Sequence, residues 1–138
     1  MKKIFPLLLL AMLFTLNSTF AANHDNEEKT VYAFGVSTCF SDTLVYFTSI
    51  QQLPGAKVDK KGFLKDRPLY SYELKNFMSR IGLMHHTCIL FFNKDKSKLK
   101  KKFNQLQTKY LRKDLEIQLL EDSEFKFTNL DTSADTTE

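Results

Sequence analysis

Apolar and polar residues alternate along much of this chain with the two-residue period of β-strands. Five stretches have this pattern or are continuously apolar, namely 31–40, 43–50, 87–92, 115–120 and 125–128. The turn signal Ser41-Asp42 separates the first two stretches, which predicts a β-hairpin. The third is apolar on both faces, so we expect a buried central strand. The last is expected to form one further short strand.

Two other stretches place apolar residues three and four positions apart, which is the spacing of an amphipathic helix. The first helix is expected to begin at Ser71 and to stop at Gly82, with an apolar stripe of Leu74, Phe77, Met78 and Ile81. The second is expected to begin at Asp95 or Ser97 and to continue to about Lys113, with an apolar stripe of Leu99, Phe103, Leu106 and Tyr110.

The resulting order, β-β-α-β-α-β, predicts a fold of the α+β class. Each helix has a single apolar stripe, so each can cover a sheet on one side only. We therefore expect a two-layer sandwich in which a mixed sheet of four or five strands carries both helices on one face. The crossover from residues 87–92 through the second helix to residues 115–120 is expected to be right-handed, which makes those two strands parallel.

A single domain is expected over residues 30–130, because both flanks of this range are polar and lack a period. Residues 22–29 are predicted to be a flexible leader, and residues 131–138 a disordered acidic tail. Inside the domain, residues 51–69 are the least regular stretch and contain several proline and glycine breakers. An irregular segment of this length is a natural place for function or mobility.

Residues 1–21 have the pattern of a secretory signal peptide. A short positive start precedes an apolar run that ends at Leu16, and Thr19 and Ala21 are the small residues that cleavage before Ala22 requires. The apolar run is well short of the roughly 20 residues that a helix needs to cross a bilayer. We therefore expect an exported protein, periplasmic or extracellular, and not an integral membrane protein.

The second predicted helix carries most of the positive charge. The whole chain has 20 lysines and arginines against 16 acidic residues, but residues 94–113 alone contain nine basic residues and one acidic residue, a net charge of +8. Five basic residues lie off the apolar stripe and form the candidate anion-binding site: Lys98, Lys101, Lys102, Lys109 and Arg112.

The expected partner of this site is an anionic glycan, a phosphate-rich lipid head group or an envelope protein. The alternative interpretation is a solvated helix face that serves only solubility. Lysine greatly outnumbers arginine in the helix, and export separates the protein from most nucleic acid, so the sequence argues against a nucleic-acid partner.

The chain has two cysteines, Cys39 and Cys88. Export places them where disulfides form, and antiparallel pairing of their strands would bring the end of one beside the start of the other. A structural disulfide is therefore one hypothesis, and two thiols packed as small apolar groups are the other. A zinc site built from His86, Cys88 and Cys39 lacks a fourth ligand, so we expect neither a metal nor another cofactor.

No constellation of catalytic residues is visible in the sequence. The serines in or beside the strands have no glycine-flanked nucleophile elbow. The acidic residues lie at turns and helix starts, where capping explains them. We therefore assign no catalytic residue and favour a role without enzymatic activity. The alternative is a small hydrolase or thiol-redox protein that uses Cys88 with His86.

Four segments carry a resemblance to known proteins: Val31-Tyr32-Ala33-Phe34-Gly35-Val36, Val45-Tyr46-Phe47-Thr48, Ser71-Tyr72-Glu73-Leu74-Lys75 and Phe125-Lys126-Phe127-Thr128. In these segments the chain resembles a group of small exported proteins of unknown function from Bacteroidetes-type bacteria. The resemblance implies a bacterial envelope or secreted setting and assigns no functional residue. In size and composition the chain is also similar to peptidoglycan-binding modules of the SPOR type, whose β-α-β-β-α-β order differs from the hairpin that opens this chain.

These features together predict an exported envelope or secreted module that binds a protein or an anionic polymer. The basic helix and residues 51–69 are the two surfaces expected to make the contact.

Overall fold

The computed structural model describes residues 30–128, and it confirms the predicted α+β class and mixed sheet. Seven elements follow one another along the chain: β1 (Val31–Thr38), β2 (Leu44–Thr48), β3 (Gln51–Leu53), α1 (Arg67–Arg80), β4 (Thr87–Asn93), α2 (Lys96–Leu111) and β5 (Glu116–Leu120). The predicted signal peptide (1–21), leader (22–29) and acidic tail (131–138) lie outside the described residues.

β1 lies at the centre of the sheet. On one side it pairs antiparallel with β4, from Tyr32 opposite Asn93 to Thr38 opposite Thr87. On its other side it pairs antiparallel with β2 and β3, and β5 pairs in parallel with β2. These directions make β4 and β5 parallel to each other, as the crossover rule predicts.

A β-bulge separates β2 from β3. Residues 33–36 of β1 oppose residues 47–51, so β1 advances three positions while its partner advances four. Near this bulge the Gly35 N–H donates to Thr48 Oγ1 at 2.9 Å, so a side chain satisfies a backbone donor of the central strand. β2 and β3 are therefore one interrupted strand, where the sequence predicts one strand over 43–50.

The two helices lie on opposite faces of the sheet. Ala33 of β1 packs in the same buried cluster as Leu74 of α1, whereas Phe34 packs with Leu99 of α2. Because successive side chains of a strand point to opposite faces, the two clusters lie on the two sides of the sheet. The expectation that both helices share one face is wrong in this respect.

The direction of the connections explains the arrangement. α1 carries the chain from β3 past β1 to β4, and α2 carries it back past β1 and β2 to β5. Two crossovers of the same hand that run in opposite directions lie on opposite faces, and right-handed crossovers are strongly preferred. Strands β1 and β4 are also apolar on both faces, so each face needs a cover.

The helix boundaries lie near the predicted ones. α1 begins at Arg67 and not at Ser71, because Pro68 is well suited to a first helical turn. Just beyond α1, Gly82 adopts a φ of 92°, the left-handed stop expected of it. The Asp95 carboxylate accepts two amides from the first turn of α2. No helix within residues 30–128 has both the length and the apolar character that a membrane span requires.

Two strand predictions differ from the structure. Among residues 30–128, β4 pairs with β1 alone and is an edge strand, whereas the sequence predicts a central one. A strand that is covered by a helix on each face is apolar on both faces whether or not it is central. Residues 125–128 form no strand. Instead, the buried side chain of Gln51 donates to the Phe125 carbonyl and accepts from the Phe127 N–H, both at 2.9 Å. This amide takes the place of a strand partner.

Candidate functional site

The predicted anion-binding residues lie on the exposed side of α2 and, for Arg112, at its C-cap, and we call them the basic face. Leu99, on the other side of the helix, is buried against the aromatic cluster of β1 and β2. The five members of the basic face are solvent-exposed: Lys98, Lys101, Lys102, Lys109 and Arg112. The exposure of these five side chains therefore agrees with the amphipathic pattern of the sequence.

Neutral hydrogen-bonding side chains lie between the cations of the basic face. Six residues spaced three or four positions apart share this outward surface: Lys101, Asn104, Gln105, Thr108, Lys109 and Arg112. The surface therefore offers charge and hydrogen-bond donors together, which is the chemistry that phosphate, sulfate and carboxylate groups bind.

Within residues 30–128, no carboxylate lies within ion-pair distance of the basic residues of α2. Among residues 30–128, the one pair within ion-pair distance is His86 with Asp42, and it does not involve α2. Two lysines instead lie over aromatic rings, Lys96 over Tyr32 at 5.6 Å and Lys102 over Phe91 at 5.9 Å.

The placement of lysines at the start of α2 opposes helix stability. The first turn contains no acidic residue, although the positive end of the helix dipole favours acidic side chains there. The carboxylate of Asp95 at the N-cap accepts hydrogen bonds from Ser97 N and Lys98 N at 2.9 and 3.2 Å. Helix stability alone therefore does not account for the charge of this element.

Residues 57–65 form a second basic surface, which we call the lysine hairpin. A bridge pairs Val58 with Leu64, and the Lys65 N–H donates to the Lys57 carbonyl at 2.8 Å. Leu64 is buried in the core, so the hairpin is anchored to the domain. The sequence marks this stretch only as irregular, and the tight turn within it depends on hydrogen bonds of Asp59.

The lysine hairpin lies beside the start of α2. A surface cavity of about 330 Å³ is lined by Val58 and Gly62 of the hairpin, by Phe92 and Asn93 at the end of β4, and by Lys94. Lys94 belongs to the basic segment 94–113. Two basic segments about thirty residues apart in sequence are therefore neighbours in space, which the sequence does not reveal.

Both cysteines are free thiols in the structure, so the hypothesis of a Cys39–Cys88 disulfide is corrected. The register of β1 and β4 gives the reason, because Ser37 and not Cys39 lies opposite Cys88. A hydrogen bond from the Ser41 side chain holds the pKa of Cys39 below its usual value. Burial raises the pKa of the Cys88 thiol.

A chain of side chains leads from the Cys88 thiol through Ser37 and His86 to the carboxylate of Asp42. Cys88 Sγ donates to Ser37 Oγ at 3.5 Å, and Ser37 Oγ lies 2.9 Å from His86 Nδ1. His86 Nε2 lies 4.0 Å from Asp42 Oδ2, and the rings of His86 and Tyr46 are in an edge-type contact with centroids 5.6 Å apart. We call these residues the thiol cluster. The two-residue period of a strand places Cys88 and His86 on one face, so the sequence predicts that they are close. It does not reveal that Ser37 of β1 lies between their side chains.

The zinc alternative finds no support in the described part of the chain. Among residues 30–128, no three histidine, cysteine or acidic side chains converge in a way that could hold a metal ion. His86 uses one ring nitrogen toward Ser37, and Cys39 has Ser41 as its neighbour.

Comparison of the chain with protein-family models, curated proteins and solved structures finds no match.

Proposed function

We propose that this protein is an exported, non-enzymatic module that binds an anionic polymer on the basic face of α2. The observation that carries the proposal is the uncompensated charge of the helix. Its segment has nine basic residues and one acidic residue, and no carboxylate among residues 30–128 pairs with the basic ones. A polyanion would supply the missing countercharges.

Three further features support binding over simple solubility. Solubility is served by charges of both signs, whereas this surface has one sign. The lysines of the first turn weaken the helix that carries them. The amides of Asn104 and Gln105 and the hydroxyl of Thr108 lie between the cations, where they can donate to the oxygens of a bound chain.

Charge reversal tests the proposal. The variant Lys98→Glu/Lys101→Glu/Lys102→Glu is expected to lose retention on immobilised heparin at moderate salt, because three attractive contacts become repulsive. The matched control is Lys75→Glu/Arg80→Glu/Lys126→Glu, which changes the net charge equally at three exposed positions outside α2. Equal losses in the two variants would assign retention to net charge alone and would reject the basic face as a site.

A second candidate function is thiol chemistry at Cys88, and the thiol cluster is the observation that favours it. A proton that leaves Cys88 has a route through Ser37 to His86 Nδ1. Ser37 and His86 are 1 % and 5 % exposed, so only the half-buried thiol could meet a substrate. Burial also raises the pKa of Cys88, which lowers its thiolate fraction and ranks this function second.

The relay has its own test, which uses the rate of alkylation of Cys88 by iodoacetamide. If the cluster activates the thiol, Ser37→Ala and His86→Gln should each slow alkylation of Cys88 and leave that of Cys39 unchanged. If the cluster is only structural, both variants should leave the rate at Cys88 unchanged or accelerate it by loosening the packing.

A further inference from the structure

We propose that the lysine hairpin is a membrane-contact element, which binds the surface of an anionic lipid bilayer with Phe63 inserted among the head groups. This surface is distinct from the basic face of α2, and the proposal does not depend on polymer binding there. It rests on an exposed aromatic side chain, on the hydrogen-bonded backbone that carries this side chain and on the exposed lysines of the same hairpin.

The backbone of the hairpin holds Phe63 in a fixed position. Asp59 Oδ1 accepts from the N–H groups of Lys61 and Phe63 at 2.8 and 2.9 Å. The Asp59 N–H donates to the Phe63 carbonyl at 2.9 Å, which closes the turn from its other side. The Phe63 side chain is nevertheless 65 % exposed. An ordered backbone that presents an apolar ring loses little further conformational entropy when the ring is buried by a partner.

The charges of the hairpin complement an anionic surface. Residues 57–65 contain four lysines, all exposed: Lys57, Lys60, Lys61 and Lys65. Asp59 is the one acidic residue of the segment, and its carboxylate is engaged by two backbone amides. Lys94 lines the cavity beside Gly62 and extends the positive surface beyond the hairpin.

A lipid surface fits this combination better than a glycan or a peptide does. Phenylalanine has no polar atom that could bond to a sugar hydroxyl, and removal of its ring from water is favourable. Lysines around an apolar side chain match the boundary between lipid phosphates and acyl chains. The apolar contact is one ring, so the expected binding is peripheral and strongly dependent on anionic lipid.

The chain contains no tryptophan, so a single introduced indole reports local insertion. The probe variant is Phe63→Trp, and the matched control is Phe40→Trp. Phe40 is even more exposed, at 108 %, but lies in the β1–β2 turn at the opposite end of β1, away from the lysine hairpin. Both full-length variants share one N-terminal segment, so a difference between their spectra reports the two positions and not that segment.

With vesicles of phosphatidylglycerol and phosphatidylcholine, Phe63→Trp is expected to show a blue shift of its emission, and Phe40→Trp is expected to show none. With vesicles of phosphatidylcholine alone, neither variant should shift. A shift at both positions, at neither position, or at Phe40→Trp alone would overturn the proposal, as would an equal shift at Phe63→Trp with neutral vesicles.

A second measurement separates this proposal from polymer binding at α2. Each lysine near an anionic bilayer contributes about fivefold in affinity. Lys60→Glu/Lys61→Glu should therefore lower the affinity for phosphatidylglycerol vesicles, measured by co-sedimentation, by at least about twentyfold. The same variant should keep most of its retention on heparin. Suppose that Lys60→Glu/Lys61→Glu leaves vesicle binding unchanged while reversal of the α2 lysines still abolishes heparin retention. This result would reject the membrane element and leave the proposed function standing. The opposite pattern would reject the basic face and leave the membrane element standing.

Discussion

Ser37 lies directly across the β1–β4 ladder from Cys88, and its hydroxyl accepts a hydrogen bond from the Cys88 thiol. This one pairing decides the chemistry at that end of the sheet. The two cysteines are therefore not bonded to each other, and Cys88 is connected through Ser37 to the buried His86. The two thiols therefore have different surroundings and are expected to behave differently.

The unreduced protein is expected to contain two alkylatable thiols. Mass spectrometry of protein treated with iodoacetamide without reductant should show two added groups on each chain. A species two hydrogens lighter that takes up no reagent would contradict the free thiols of the structure.

The two thiols are expected to react with different pH dependence. Alkylation requires the thiolate, and the hydrogen bond from Ser41 lowers the pKa of Cys39, so its rate should rise at lower pH than that of an ordinary cysteine. Burial raises the pKa of Cys88, so its rate should rise at higher pH. Peptide-level mass spectrometry across a pH series measures both rates, and a reversed order would contradict the assigned surroundings.

Removal of the His86 ring is expected to destabilise the domain. His86→Ala leaves Ser37 without its ring partner and opens a space beside Tyr46, which should lower the free energy of unfolding by about 2–4 kcal/mol. Urea denaturation measures the change. The neighbouring His85 is exposed, so His85→Ala is the matched control and should have little effect.

A side chain at Gly35 is expected to disturb the packing of α1 on the sheet. A Cβ added to this residue would overlap Leu74 Cδ2 and would lie 3.4 Å from the Phe127 ring, so Leu74 must move. We expect Gly35→Ala to lower the free energy of unfolding by about 1–3 kcal/mol. Gly35→Ala combined with Leu74→Ala should lose less than the sum of the two single changes, because the second change removes the clash.

The amide of Gln51 is expected to hold residues 125–128 against the sheet. Gln51→Leu removes the hydrogen bonds to residues 125–128 and leaves the Phe125 carbonyl and the Phe127 N–H without that partner, which should cost about 2–4 kcal/mol. Hydrogen exchange at residues 125–128 should accelerate locally. Gln52 is exposed, so Gln52→Leu is the control and should leave both measurements unchanged.

Local patterns in the sequence were sufficient for most of the secondary structure. Asp95 caps α2 because its side chain bonds to amides two and three residues away, and Gly82 follows α1 because it tolerates a positive φ. The charge of α2 and the burial of Leu99 also follow from spacing within one helix. These features depend on neighbours within a few positions, so the sequence determined them by itself.

The tertiary structure decided which distant residues meet. Two strands that are apolar on both faces allow more than one strand order and register, and the packing of both helices selects one of them. That register places Ser37 and not Cys39 across from Cys88. The same packing brings the lysine hairpin beside Lys94. No local propensity encodes such contacts, because they form only when both faces of the sheet are covered at once.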